Sequence, residues 1–141
     1  MRRSSLFAPL ALSALLLAGC SAGPADQTTE EACGDLNRAM SDLAEGMGIE
    51  DAFAEASADP AQAAERLESF ADTLAQTAED EIGNAEVRDA ALAFSTQVGA
   101  FADVLGDAAA DPENVDLDAL TNTVQEFTAA SEAFDALCPA A

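Results

Sequence analysis

The chain offers carboxylates for chemistry and very little to work beside them. Of 141 residues, 27 are Asp or Glu and five are Arg; there are three Cys and no His, Lys, Tyr or Trp. Without His the commonest general base is missing, and with it the Ser–His and Cys–His nucleophilic pairs. Without Lys there is no Schiff-base chemistry, and the Glu-x-x-His pairs that hold di-iron centres in helical bundles cannot be formed. No glycine-rich phosphate loop is visible, because Gly34, Gly46, Gly48 and Gly106 fall at or near the ends of helical segments. Two carboxylates can cleave a glycosidic bond, but in so acidic a chain some pair falls at a suitable distance whatever the fold. These absences predict a non-enzymatic protein without a resident cofactor.

Hard cations are the remaining chemistry that carboxylates alone can serve. One acidic group gathers Asp107, Asp111, Glu113, Asp116 and Asp118, expected opposite Glu50, Asp51 and Asp59; a second gathers Glu79, Asp80, Glu81 and Glu86 near Glu30 and Glu31. Asp111, Glu113, Asp116 and Asp118 are the weak candidates for a divalent cation. They lack the Asp-x-Asp-x-Asp-Gly order of an EF-hand loop, and most of these acids stand where a helix N-terminus favours a carboxylate anyway. Helix capping and solvated loops are the preferred expectation. Arg38 has Asp35 and Asp42 within a helical turn, whereas Arg66 and Arg88 lack a carboxylate at that spacing and are expected to reach another helix.

The elements that would position these groups are helices. Four segments carry large apolar residues at steps of three and four. The first opens at Thr28 with Glu31 three residues on, a capping-box spacing, and runs through Cys33, Leu36, Met40, Leu43 and Met47 to Gly46 and Gly48. The second opens at Asp59-Pro60, carries Ala63, Leu67, Phe70 and Leu74, and runs out near Gly83. The third opens at Asn84, carries Val87, Ala91, Phe94, Val98, Phe101 and Leu105, and is expected to stop at Gly106. The fourth begins around Asp116, carries Leu117, Leu120, Val124, Phe127, Ser131, Phe134 and Cys138, and meets Pro139. Residues 49–58 read as a short capping helix or a loop, and 107–115 as a loop or a helix extension. The phenylalanines on the stripes read as core. Asp-Pro recurs at Asp59-Pro60 and Asp111-Pro112, but the flanking residues do not otherwise match.

Ahead of the first helix lies a different kind of segment. Arg2 and Arg3 precede an apolar run from Leu6 to Leu17, broken only by Pro9 and Ser13 and followed by small residues. This is the order of a secretory signal, too short to span a bilayer comfortably. The stretch Leu17-Ala18-Gly19-Cys20 resembles the lipobox of bacterial lipoproteins. The resemblance implies a diacylglyceryl group on the Cys20 thiol, cleavage before Cys20 and a palmitate-type anchor on the extracytoplasmic face of the cell membrane. Residues 1–19 are then the signal peptide, 20–28 a lipidated flexible tether and 29–141 the helical domain. Loss of Arg2 and Arg3 takes the net charge from −22 to −24. Such a surface repels nucleic-acid phosphate and anionic headgroups, so the membrane is met through lipid alone.

With Cys20 consumed by lipid, Cys33 and Cys138 remain as a pair in an oxidising compartment. Short connections make successive helices antiparallel, and four of them return the chain to its starting end. The expected fold is therefore all-α, an antiparallel up-down four-helix bundle closed by a Cys33–Cys138 disulfide. Three functions suit it: a binding or accessory module for an envelope protein, which leads; an acidic divalent-cation-binding lipoprotein; or a carrier of a small apolar ligand. An exposed apolar patch, converging carboxylates or an enclosed pocket would mark them respectively.

Overall fold

The computed structural model describes residues 26–55 and 58–139, and the signal peptide and Cys20 lie outside them. Among the described residues all regular structure is helical: α1 (Thr29–Met47), α2 (Ile49–Glu55), α3 (Pro60–Glu81), α4 (Ala85–Ala110) and α5 (Leu117–Leu137).

Local chemistry sets each boundary. Thr28 and Glu31 close the capping box, the Thr28 hydroxyl accepting from the Glu31 amide at 3.3 Å and the Glu31 carboxylate from the Thr28 amide at 3.0 Å. The carboxylate thereby sits below its ordinary pKa of 4.5, first through that backbone donor and then through the Thr28 hydroxyl. α1 stops at Gly48, whose φ of 63° is left-handed and favours a residue without Cβ. Asp59 caps α3 through the Gln62 amide with Pro60 in the first turn, and Asn84 and Asp116 cap α4 and α5 in the same way.

The segment after Gly48 is helical as α2 and sits on α3, with Ile49 and Ala52 buried. The expected stop at Gly106 is not one, for α4 runs through it to Ala110. A Cβ built on Gly106 would lie 3.9 Å from that of Ala64 in α3, so the helix continues along a packed surface there. It ends at Asp111, where the following Pro112 disfavours helical backbone.

Small residues line the tightest seam. α3 buries Ala63, Ala64, Ala71 and Ala78 beside Leu67 and Leu74, and α4 answers with Ala91, Ser95, Val98 and Ala102. α1 packs on α3 and touches α4 through its buried Ala32 and Leu36, whereas α4 is the only helix that packs along α5 among the described residues. That contact is aromatic: Phe94 lies 5.6 Å from Phe127 and 5.8 Å from Phe134, ring centre to ring centre.

One end of the molecule is stitched. Cys33 and Cys138 form the expected disulfide, with Cα atoms 5.2 Å apart. Gln27 accepts from the Gly83 amide at 2.9 Å through its side chain, and its backbone carbonyl accepts from the Asn84 side chain at 3.3 Å. The start of α1, the α3–α4 turn and the end of α5 therefore meet.

Candidate functional site

The acidic groups come first, since the sequence singles them out. Both Asp111 oxygens accept from the Asn114 side-chain amide at 3.1 Å, so the carboxylate organises the α4–α5 loop. Asp116 caps α5 at 2.9 Å from the Ala119 amide, Asp118 sits exposed in the first turn of α5, and Glu113 is exposed in the loop. A groove of about 310 Å³ beside them is lined by Val104, Ala108, Val115 and Ala119 as well as Asp107, Asp111 and Asp116. Among the described residues no three His, Cys, Asp or Glu side chains come together as metal ligands would. Glu31 is spent on its capping box, and its neighbours Glu30, Asp26 and Asp35 line a surface depression of about 700 Å³ with Arg38.

The arginines are surface groups. Arg38 pairs with Asp35 at 3.2 Å, both exposed, an arrangement worth little in water. Arg66 donates to Gln62 one turn back, and its guanidinium stands 3.6 Å from where a Cβ on Gly48 would be. It thus does reach the α1–α2 turn. Arg88, expected to reach another helix, instead lies 3.9 Å from its own neighbour Asp89. A depression of about 690 Å³ beside the disulfide is lined by Thr29, Glu30, Cys33, Gly34, Asn37, Leu137 and Pro139.

What the sequence does not reveal is where its apolar stripes go uncovered. α5 buries a single residue, Phe134, whereas α3 buries seven. Leu117 is 68 % and Val124 44 % exposed. Their i, i+7 spacing sets both on one edge of α5, yet in the sequence they continue the stripe that buries Phe134. On α4, Gln97 carries a side-chain oxygen that is shielded from water and has no hydrogen-bond partner among the described residues, an uncommon state for a buried acceptor.

No protein-family model, curated protein or solved structure matches the chain. The residues themselves therefore carry the functional reading: carboxylates engaged in caps and loops, a disulfide buried at the stitched end, and an apolar edge of α5 facing solvent.

Proposed function

We propose that this chain is a lipoprotein precursor whose helical domain is held by lipid on Cys20 at the extracytoplasmic face of the cell membrane. There it acts as a non-enzymatic docking module for an envelope protein. The observation that carries the docking is the pair Leu117 and Val124, large apolar side chains left in water on a strongly acidic domain. Scattered exposed apolar residues are ordinary; two on one edge of a helix with a single packing partner mark a surface with room for another chain.

The anchoring rests on the Leu17-Ala18-Gly19-Cys20 run behind Arg2, Arg3 and the apolar stretch. Two further observations agree with it. The Cys33–Cys138 disulfide suits an oxidising compartment, and among the described residues no helix is long and apolar enough to cross a membrane. We read α1, α3, α4 and α5 as an up-down antiparallel bundle with α2 as its lid, an order supported by the meeting of the α1 start, the α3–α4 turn and the α5 end. The cation-binding and apolar-carrier readings lack a comparable observation.

Cys20→Ala tests the anchor. The variant is expected to stay unprocessed or to leave the membrane fraction. Cleavage at the same place with retention through a carbonate wash would sink the lipid reading. A photo-crosslinker at Thr121, beside the exposed edge, is expected to give a discrete protein adduct in intact envelopes. Probes along α4 and α5 that all stay adduct-free would remove the docking reading.

A further inference from the structure

The disulfide that hinges the end of α5 to α1 is shielded unequally on its two sides. Cys138 is 1 % exposed and Cys33 7 %. The depression of about 690 Å³ at this end is lined by Cys33, with the apolar side chains of Leu137 and Pro139, and not by Cys138. Gly34 lines it as well. That glycine stands inside α1, where it costs helix stability relative to alanine, yet a Cβ built on it would meet nothing within 4 Å. No packing neighbour needs the room that the missing side chain leaves. What the glycine does keep clear is the approach to Cys33 beside it.

We propose that this depression is an entry site for thiol–disulfide exchange in the folded protein, with Cys33 the sulfur attacked and small thiols without negative charge the reactants. An external thiol first loses its proton to water. Its thiolate bonds to Cys33 Sγ, the bond between the two Sγ atoms breaks, and the electron pair leaves on Cys138 as thiolate. Return attack by Cys138 expels the external thiolate and restores the disulfide. Attack by a second external thiolate on the mixed disulfide leaves Cys33 reduced and releases an external disulfide. Access and leaving group pull in opposite directions here. Cys33 stands near the start of α1 and Cys138 at the end of α5, so the helix dipoles make Cys33 the better leaving group. That effect fades within the first turn, where Glu30 and Glu31 oppose it, and it does not act while Cys138 is closed to the attacker. Access therefore decides. Charge selects the reactant: Glu30 lines the depression, and Asp26, Glu31 and Asp35 line the adjoining one, which shares Glu30 and Gly34. Anionic thiols are repelled and cationic ones drawn in. Once the bond opens, α5 keeps only α4 along its length among the described residues, so its end near Cys138 is loosened first.

The test uses the oxidised full-chain protein, with any free thiol first capped by iodoacetamide. The probes are cysteamine, a cationic thiol, and mercaptoethanesulfonate, an anionic one, at matched thiolate concentration. Acid quenching at early times and peptide mapping are expected to find the probe on Cys33 with Cys138 as the free thiol. Cysteamine should exchange severalfold faster at about 20 mM sodium chloride, and the gap should close at about 500 mM. Gly34→Leu fills the approach and should slow exchange severalfold relative to Gly34→Ala. Both variants should stay helical by circular dichroism and be reduced at the parent rate once unfolded in guanidinium chloride. Alanine is the better helix former, so exchange that runs through unfolding would be slowed by Gly34→Ala at least as much as by Gly34→Leu. That result overturns the inference. So does an early adduct on Cys138, equal rates for the two thiols at low salt, or a disulfide that exchanges only at denaturant concentrations that unfold the chain.

Discussion

The α3–α4 seam and the outer edge of α5 are built from the same kind of stripe and end differently. Along the first, alanine faces glycine: a Cβ on Gly99 would meet that of Ala71 at 3.9 Å, and one on Gly106 that of Ala64 at the same distance. Small side chains let the backbones approach until the seam is closed along its length. Along the second, exposure grows with distance from the disulfide: Cys138 is 1 % exposed, Val124 44 % and Leu117 68 %. A correctly spaced apolar stripe is thus a necessary condition for burial and not a sufficient one. Closure also requires that a neighbour be free to come near, and α1 is already committed to α3.

The largest expected effect comes from breaking the hinge. In the chain-entropy view a crosslink over 105 residues stabilises by up to about 5 kcal/mol. Cys33→Ser with Cys138→Ser should lower the urea midpoint sharply, and hydrogen exchange should accelerate first in α5, which among the described residues packs along α4 alone, while α3 and α4 stay protected. Uniform acceleration across all helices would deny the difference between the two regions. Next, Leu74→Ala should cost about 2–5 kcal/mol, since Leu74 is fully buried in α3. Val124→Ala should cost less than about 0.5 kcal/mol, as for an ordinary surface change. Similar losses at the two sites would mean that this edge of α5 is covered in solution.

Glycine substitutions sharpen the comparison at smaller scale. Gly99→Ala and Gly106→Ala fill helical positions with ordinary van der Waals room, and each should stabilise by about 0.5–1 kcal/mol. Gly48→Ala forces a left-handed backbone and should cost about 1 kcal/mol. A destabilised Gly99→Ala would show a tighter seam than 3.9 Å. The smallest effect is the pH response of the capping box. Glu31 has its folded pKa lowered from 4.5 by the Thr28 amide and then the Thr28 hydroxyl. Its contribution is therefore fully present above the unfolded value and lost as pH falls through the lower, folded one. Glu31→Gln should be less stable than the parent at pH 7, and the gap should narrow in acid. A gap that is constant from pH 7 to pH 2 would detach the capping box from the carboxylate's charge.

Helix starts are legible in the sequence because a cap is settled within four residues: Thr28 with Glu31, Asp59 before Pro60, Asn84 and Asp116 all cap as their types and positions foretell. The meeting of Cys33 and Cys138 is legible from the expected antiparallel helix order once Cys20 is assigned to lipid. Gly106 misleads because glycine ends helices in water, whereas here it lies against Ala64 in a packed seam, and the sequence does not name its neighbour. The candidate site is hidden for the same reason. Leu117 and Val124 continue a stripe that further along buries Phe134, and nothing within α5 says that its α1-side neighbour turns away.

The stitched end also determines how the molecule carries load. Tension entering the chain ahead of α1, as a membrane tether would exert it, reaches Cys33 just past the first turn and crosses to Cys138 through sulfur. A partner pulling on α5 would then be connected to such a tether by covalent bonds, along a path that bypasses α2, α3 and α4. Their packed seam would stay unstressed, and such a joint would fail only when a covalent bond, a fray in α5 or the partner's own grip gave way.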